Sequence, residues 1–207
     1  INPIIGANST FKYVLTYSGK VKDYLGTATV TLKDTLPYEV KSIEYDTEAC
    51  TYNEETRLLT CTKTVELNEN NQLIDAKFNV TVTYKNLVNT TNLNVLNKVE
   101  SSLTFGLTEV TDESEVTDTI KSGTVIATYV DENNNTLSDS ITTTGLIDNT
   151  YKTSEKTIYG YTLKEIKGNE TGLYTEKTIE VIYVYSKNEG TTETNEVTKV
   201  GPENITS

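Results

Sequence analysis

Alternation of apolar and polar residues with a period of two constrains this chain most, because it recurs along the sequence while helical periodicity is nearly absent. The clearest case is the segment 78–84, where Phe78, Val80, Val82 and Tyr84 fall on one face. The same pattern is found in the segments 11–17, 28–32, 40–45, 58–65 and 97–105. We therefore predict an all-β protein in which short strands are separated by polar turns.

The spacing of these segments predicts two domains and a tail. Six or seven strands within residues 1–121 are typical of an immunoglobulin-like β-sandwich, with the acidic, Thr-rich residues 108–122 interpreted as a change of register before the boundary. Further strand-like segments at 124–130, 137–144, 159–163 and 178–185 define a second domain, residues 122–187. The segment 178–185 is apolar on both faces, which predicts a central strand. Residues 188–207 are polar and are predicted to be a flexible linker.

The charge of the chain excludes some partners. Its formal net charge is -12, from 18 Lys and Arg against 30 Asp and Glu. Nucleic-acid binding requires clustered cations, so we expect no nucleic-acid partner, and no attraction to anionic lipid. No stretch approaches the roughly 20 apolar residues of a transmembrane helix, so we expect no membrane insertion, with any signal or anchor outside these residues. Because an acidic surface repels its own copies, we expect a monomer.

The two cysteines, Cys50 and Cys61, lie within one predicted hairpin. Facing cysteines on paired strands can be bridged, and a loop of this size would stabilise the fold by about 3 kcal/mol. The alternative is a pair of ordinary buried thiols. We predict the disulfide, because the chain has the character of an exported protein. Two cysteines without histidine are too few for a zinc site, and we expect no metal and no cofactor.

Catalysis finds little support in the sequence. Without histidine there is no Ser-His-Asp or Cys-His arrangement, and no Gly-rich phosphate loop follows a strand. A pair of catalytic carboxylates, as in glycosidases, is an open alternative, but the sequence does not indicate a particular pair of Asp or Glu residues. We therefore expect a protein that is not an enzyme. The spacing of Asp131, Asn133 and Asn135 resembles the start of a calcium loop, yet Thr136 and Thr142 replace its required Gly and Glu, which favours a β-turn.

Two family resemblances follow from short motifs. Residues 123–187 resemble the MucBP (mucin-binding protein) domain of Gram-positive surface proteins, through Gly123-Thr124-Val125 and the stretches 129–133, 160–163 and 181–185. This resemblance implies a ubiquitin-like β-grasp fold and mucin binding. Residues 1–121 are similar to an Ig-like conserved repeat of bacterial surface proteins, through the stretches 30–37, 59–62 and 96–99. Both imply an extracellular location, at the bacterial cell surface or cell wall.

The resemblances lead to a functional hypothesis, a segment of an adhesin that binds host mucin or other glycoprotein glycans. The alternative is a structural stalk that has no ligand of its own. Tyrosine rings can stack on sugar faces, so Tyr159, Tyr161 and Tyr174 are the candidate glycan contacts. For most of the 14 tyrosines the alternative is that they fill half-exposed strand positions in a chain poor in Phe and Trp.

An intramolecular isopeptide bond is a further hypothesis, since many pilin-like Ig modules form one. Lys12 on the first strand, Asn97 on the last and Asp34 after the second are the candidates. The reaction needs a neutral amine, a carboxamide and a buried, protonated carboxyl, all favoured by desolvation. Lys and Asn are abundant in the chain, so a chance arrangement is the alternative.

Overall fold

A computed structural model describes residues 4–190, so residues 191–207 of the predicted linker lie outside the described part. These residues form fourteen strands and no helix, which confirms the all-β prediction. Accordingly, the described chain offers no apolar helix of membrane-spanning length. The strands are β1 (Thr10–Lys20), β2 (Gly26–Thr35), β3 (Val40–Glu44), β4 (Cys50–Asn53), β5 (Leu58–Leu67), β6 (Leu73–Tyr84), β7 (Leu93–Phe105), β8 (Thr108–Ile120), β9 (Ser122–Asp131), β10 (Thr136–Leu146), β11 (Thr150–Lys152), β12 (Tyr161–Lys167), β13 (Thr171–Leu173) and β14 (Ile179–Lys187).

Strands β1 to β8 form two antiparallel sheets that pack face to face. One sheet has the order β1-β6-β3 and the other the order β4-β5-β2-β7-β8. Alternate residues of both sheets fill the core between them. On β6 these are the predicted Phe78, Val80, Val82 and Tyr84, all of them buried. The period-two pattern therefore located the core face of this strand correctly.

Strand β8 corrects the interpretation of residues 108–122 as a change of register. It is 13 residues long and pairs with β7 over its whole length, from Leu93 opposite Ile120 to Phe105 opposite Thr108. Its sequence shows no strand-like alternation, because carboxylates and threonines occupy both faces and all but the last few residues are exposed. A strand whose two faces both meet solvent carries no apolar alternation.

Strands β9 to β14 form a four-stranded sheet, β10-β9-β14-β12, and a two-stranded ribbon, β11-β13. Strand β14 lies between β9, to which it is parallel, and β12, which confirms the predicted central strand. Residues 122–187 contain no helix, so the helix that a β-grasp sheet curls around is not seen in this structure.

The core of this second sheet is built from tyrosines. Tyr129 and Tyr183 stack with ring centroids 5.2 Å apart, and Tyr185 is also buried. Their hydroxyls reach the irregular segment between β11 and β12: Tyr129 donates to the carbonyl of Ser154 at 2.8 Å, and Tyr185 to that of Lys156 at 2.7 Å. Each ring thus fills the core while its hydroxyl fixes a loop. These tyrosines are fully buried, whereas half-exposed strand positions were expected for most tyrosines of the chain.

The two sets of sheets meet through a continuous contact. Only Lys121 separates β8 from β9. Leu146, at the end of β10, is completely buried in the core of the sandwich, and its backbone nitrogen donates to the carbonyl of Asn89 at 3.1 Å. Next to it, the nitrogen of Ala7 donates to the carbonyl of Ile147 at 2.8 Å. The second sheet is therefore held to the sandwich by packing and hydrogen bonds as well as by the chain itself.

Candidate functional site

The disulfide is the site residue pair that the structure confirms directly. Cys50 on β4 faces Cys61 on β5 in register, and the two sulfurs are bonded at 2.04 Å. Both residues are buried in the sandwich core. The bridge fastens the short edge strand β4 to its neighbour, and it leaves no free cysteine among the described residues.

Asp34 and Asn97 form a buried polar pair inside the sandwich. Asp34, on β2, is 0% exposed and Asn97, on β7, is 2% exposed. The Nδ2 atom of Asn97 donates to Oδ2 of Asp34 at 2.8 Å, whereas the Oδ1 atoms of both side chains have no hydrogen-bond partner among the described residues. Burial raises the pKa of Asp34 from 3.8 to about 6, against a smaller opposing effect of the Asn97 hydrogen bond.

Two tyrosine hydroxyls lie in the same part of the core. The hydroxyls of Tyr13, on β1, and Tyr84, on β6, are 2.9 Å apart. Burial is the main reason why the pKa of Tyr13 rises to about 12 and that of Tyr84 rises as well, and the charges of Asp34 and Asp118 act in the same direction. The core therefore holds a pair of hydroxyls of raised pKa beside a carboxyl of raised pKa.

Lys12 does not join this cluster. It lies on β1 between Phe11 and Tyr13, which are buried, and its own side chain is exposed on the opposite face of the strand. Successive residues of a strand point to opposite faces, so the Lys12 side chain leaves β1 on the face away from the core. The structure brings Asp34 and Asn97 together and keeps Lys12 away from them, so it provides no geometry for an isopeptide bond between Lys12 and Asn97.

A groove opens between the edge strands of the two sheets, β1 and β8. Its volume is about 480 Å³, and Asn97 and Leu32 lie at its floor. The rim includes Asp112, Ser114, Val116 and Asp118 of β8, together with the outer residues of β1. These β8 residues were not predicted from the sequence. Their even spacing from 112 to 118 was the available signal, since it places four side chains on one face of a strand.

The three candidate glycan-binding tyrosines are not brought together. Tyr174 is 7% exposed, and its ring packs against Gly145, where an added Cβ would lie 2.4 Å from a ring carbon. Tyr161 is partly buried against the second core. Tyr159, in contrast, is 101% exposed and precedes Gly160, which turns the chain with φ = 79°. Only Tyr159 offers free ring faces to a sugar.

Tyr159 lies at the end of the second sheet that points away from the sandwich. Strand β12 starts at Tyr161, opposite Lys187 at the end of β14, whereas β9 leaves the sandwich at Ser122. The turn after β9 lies at the same distal end, since Asp131 pairs with Tyr185.

The Asp131 turn uses its carboxylate internally. Asp131 Oδ1 accepts the backbone N–H groups of Asn133 and Asn135 at 2.8 and 2.9 Å, and Oδ2 accepts the Asn135 amide at 2.9 Å. These hydrogen bonds lower the pKa of Asp131. The geometry matches the predicted turn, with Asn134 in the left-handed region at φ = 62°.

The second part of the chain is similar to domains of known proteins. Residues 124–186 match the MucBP domain. A stretch of 66 residues, 32% of the chain, is 46% identical to Internalin J of Listeria monocytogenes and covers 8% of that protein. A stretch of 77 residues, 36% of the chain, is 39% identical to Internalin I of the same organism and covers 4% of it. The chain thus spans less than a tenth of the length of these relatives.

Two solved structures resemble most of the chain. Domains D2 and D3 of the major pilin SpaD from Corynebacterium diphtheriae superpose with a TM-score of 0.45 at 13% identity, covering 86% of this chain and 94% of the pilin chain. The group B streptococcus pilus 2b backbone protein gives 0.45 at 15% identity, covering 90% and 96%. Identities this low carry no information on function.

Proposed function

We propose that this chain is a non-catalytic segment of a bacterial surface adhesin, in which the domain at residues 124–186 binds mucin or other glycoprotein glycans. The match of these residues to the MucBP domain, and their similarity to internalins, support this proposal. The preceding Ig-like sandwich would hold the binding domain away from the cell surface. The parent protein would be extracellular, attached to the envelope of a Gram-positive cell.

The single observation that carries the proposal is the position of Tyr159. Among residues 4–190 it is the one tyrosine whose ring is fully exposed, and it stands at the distal end of the second sheet. An aromatic ring that is free on both faces stacks on the apolar face of a pyranose at little conformational cost. The side chains of Lys164 and Glu132, which contact one another, give the same end a polar border.

The test is saturable binding of the full chain to immobilised mucin and to a glycan array. Tyr159→Ala is expected to weaken binding about tenfold, since a central aromatic contact contributes more than 1 kcal/mol. Leu107→Ala is the matched control, because Leu107 is equally exposed (109%) at the β7–β8 turn, at the opposite end of the molecule. Equal loss with both variants, or unchanged binding with Tyr159→Ala, would reject the role of Tyr159.

A stalk without a ligand is the second candidate. The observation favouring it is the joint described above, where Leu146 is buried in the sandwich and Ala7 bonds to Ile147, because a fixed joint suits a spacer. The same contact is the reason to test the full chain, since residues 123–187 alone would expose Leu146. Absence of saturable binding to any mucin or glycan by the wild-type chain would favour the stalk.

A further inference from the structure

The two sheets of the sandwich are unequal, with three strands facing five. Strand β1 pairs with β6 on one side and with no strand of residues 4–190 on the other. Strand β8 pairs only with β7 within the same residues. The groove between β1 and β8 is therefore bordered by two strand edges whose backbone groups are open to pairing.

Within the part of the chain that the structure describes, no strand covers the inner face of β8. Directly paired residues share a face of the sheet, so Val110, Val116 and Asp118 face the same way as their partners Leu103, Asn97 and Val95. Those three partners are buried, whereas Val110 is 51% and Val116 is 49% exposed. The three-stranded sheet covers β7 and stops short of β8. A further strand added to the free edge of β1 would lie over these valines.

The floor of the groove holds an acceptor without a donor. Asn97 is 98% buried, lines the groove, and its Oδ1 has no hydrogen-bond partner in the described chain. Asp34 Oδ1, on the side chain that Asn97 bonds to, is also unpaired. A buried carboxamide oxygen without a donor is costly, so the site favours a ligand that brings an N–H group to it.

The charges of the residues that line the groove indicate which kind of N–H donor fits it. Four carboxylates, Asp112, Glu113, Glu115 and Asp118, and the amine of Lys12 line it. Glu113 and Glu115 lie on the outer face of β8, as Lys12 lies on the outer face of β1. Glu113 is paired with Lys98 at 2.8 Å. Asp112 and Asp118 lie on the inner face, near enough to Tyr17 and Tyr13 for their charges to help raise the pKa values of these phenols. A cationic donor therefore fits better than a neutral one.

We propose that the β1–β8 groove binds an extended, lysine-bearing peptide segment of a partner protein, which adds a strand to the free edge of β1. One lysine of the segment points inward, towards the carboxylate of Asp118, which is two residues along β8 from Val116, the partner of Asn97. An apolar residue two positions from that lysine covers Val116. Backbone pairing supplies affinity and the inward lysine supplies specificity.

The probe is a labelled synthetic peptide with Val, Lys and Val, in that order, at every second position and Thr at the positions between them. Its binding to the full chain is measured by fluorescence anisotropy. Replacing the lysine by norleucine is expected to weaken binding at least about tenfold, because the charged donor is lost while the apolar stem is kept. The variant Asp118→Asn should weaken binding of the lysine peptide and leave that of the norleucine peptide unchanged. Asp75→Asn, an exposed change outside the groove, is the control.

Hydrogen exchange locates the peptide independently of any variant. Binding is expected to slow exchange of the amides of β1 and not those of β3, the other edge of the same sheet. Equal affinity for the lysine and norleucine peptides, no binding of either, or protection elsewhere would overturn the proposal. A dimer of the peptide-free chain with protected β1 amides would assign the groove to a second copy, and would overturn it as well.

Discussion

The carboxamide of Asn97 donates a 2.8 Å hydrogen bond to Asp34 at a place where neither side chain meets solvent. The pair joins neighbouring strands, β2 and β7, of the five-stranded sheet. Because the carboxyl is buried, its pKa rises to about 6, and the pair becomes a pH-dependent element of the core.

Asp34→Asn is expected to flatten the pH dependence of stability. A folded-state pKa raised from 3.8 to about 6 means that the protonated carboxyl stabilises the fold fully below its ordinary pKa. This contribution is lost as the pH rises through about 6, and amounts to at most about 3 kcal/mol. In urea unfolding at pH 5 and pH 8, the variant should therefore gain stability relative to wild type at the higher pH.

Asp75→Asn is the matched control for this experiment, because Asp75 is exposed on β6. It should follow the wild-type profile at both pH values. If Asp34→Asn and wild type lose stability in parallel between pH 5 and pH 8, the carboxyl does not titrate in that range and the explanation is wrong.

Removal of the disulfide should destabilise the sandwich. Cys50 and Cys61 are separated by 11 positions, and closing a loop of this size in the unfolded chain stabilises the fold by about 3 kcal/mol. The double variant Cys50→Ala and Cys61→Ala is expected to lose about 2–4 kcal/mol in urea unfolding under oxidising conditions. Under strong reductant the wild type should approach the variant. A loss below about 0.5 kcal/mol would show that the bridge adds little to the β4–β5 pairing.

How much the sequence revealed depended on where each strand lies. Strands with one face in the core, such as β6, were recognised because burial imposes a period of two. Strand β8 was missed because it borders the groove and neither face is covered. The disulfide followed from hairpin spacing, whereas the neighbours of Asp34 depend on strand order, which spacing alone does not fix. The burial of Tyr174 was likewise not predictable, because its residue type suits sugar contact while its position inside the core depends on the fold.

Leu146→Ala tests the joint between the two sets of sheets. Leu146 belongs to β10 but is buried in the sandwich core, so its truncation leaves a cavity that costs about 2–5 kcal/mol. The expected results are a lower unfolding midpoint and faster hydrogen exchange of the amides of Ala7 and Ile147. Ile141→Ala, on the same strand with 45% exposure, should change stability by less than about 1 kcal/mol. Equal effects of the two variants would contradict a packed joint.

Intact-mass measurement addresses the isopeptide hypothesis. Because Lys12 points to solvent and Asn97 lies in the core, we expect the mass of the sequence less the two hydrogens of the disulfide. An additional loss of one ammonia would contradict this expectation. A peptide map would then separate a lysine cross-link from a cyclised asparagine.

Tyr183→Phe tests whether the tyrosine hydroxyls hold the second sheet's loops in place. The hydroxyl of Tyr183 lies 2.7 Å from Thr153 Oγ1 and donates to Glu170 Oε2 at 3.1 Å, so one atom joins the segments before and after β12. Thr153 Oγ1 keeps a 3.2 Å hydrogen bond to the Glu170 carbonyl and the Glu170 side chain is exposed, so the loss should cost about 0.5–1.5 kcal/mol. Tyr161→Phe, at a partly buried site on β12, should cost less than about 0.5 kcal/mol. Urea unfolding measures both variants, and hydrogen exchange should show the loss at Thr153 first, because its backbone nitrogen bonds to Glu170 at 2.8 Å. Equal stability of Tyr183→Phe and wild type would mean that ring packing alone holds these loops.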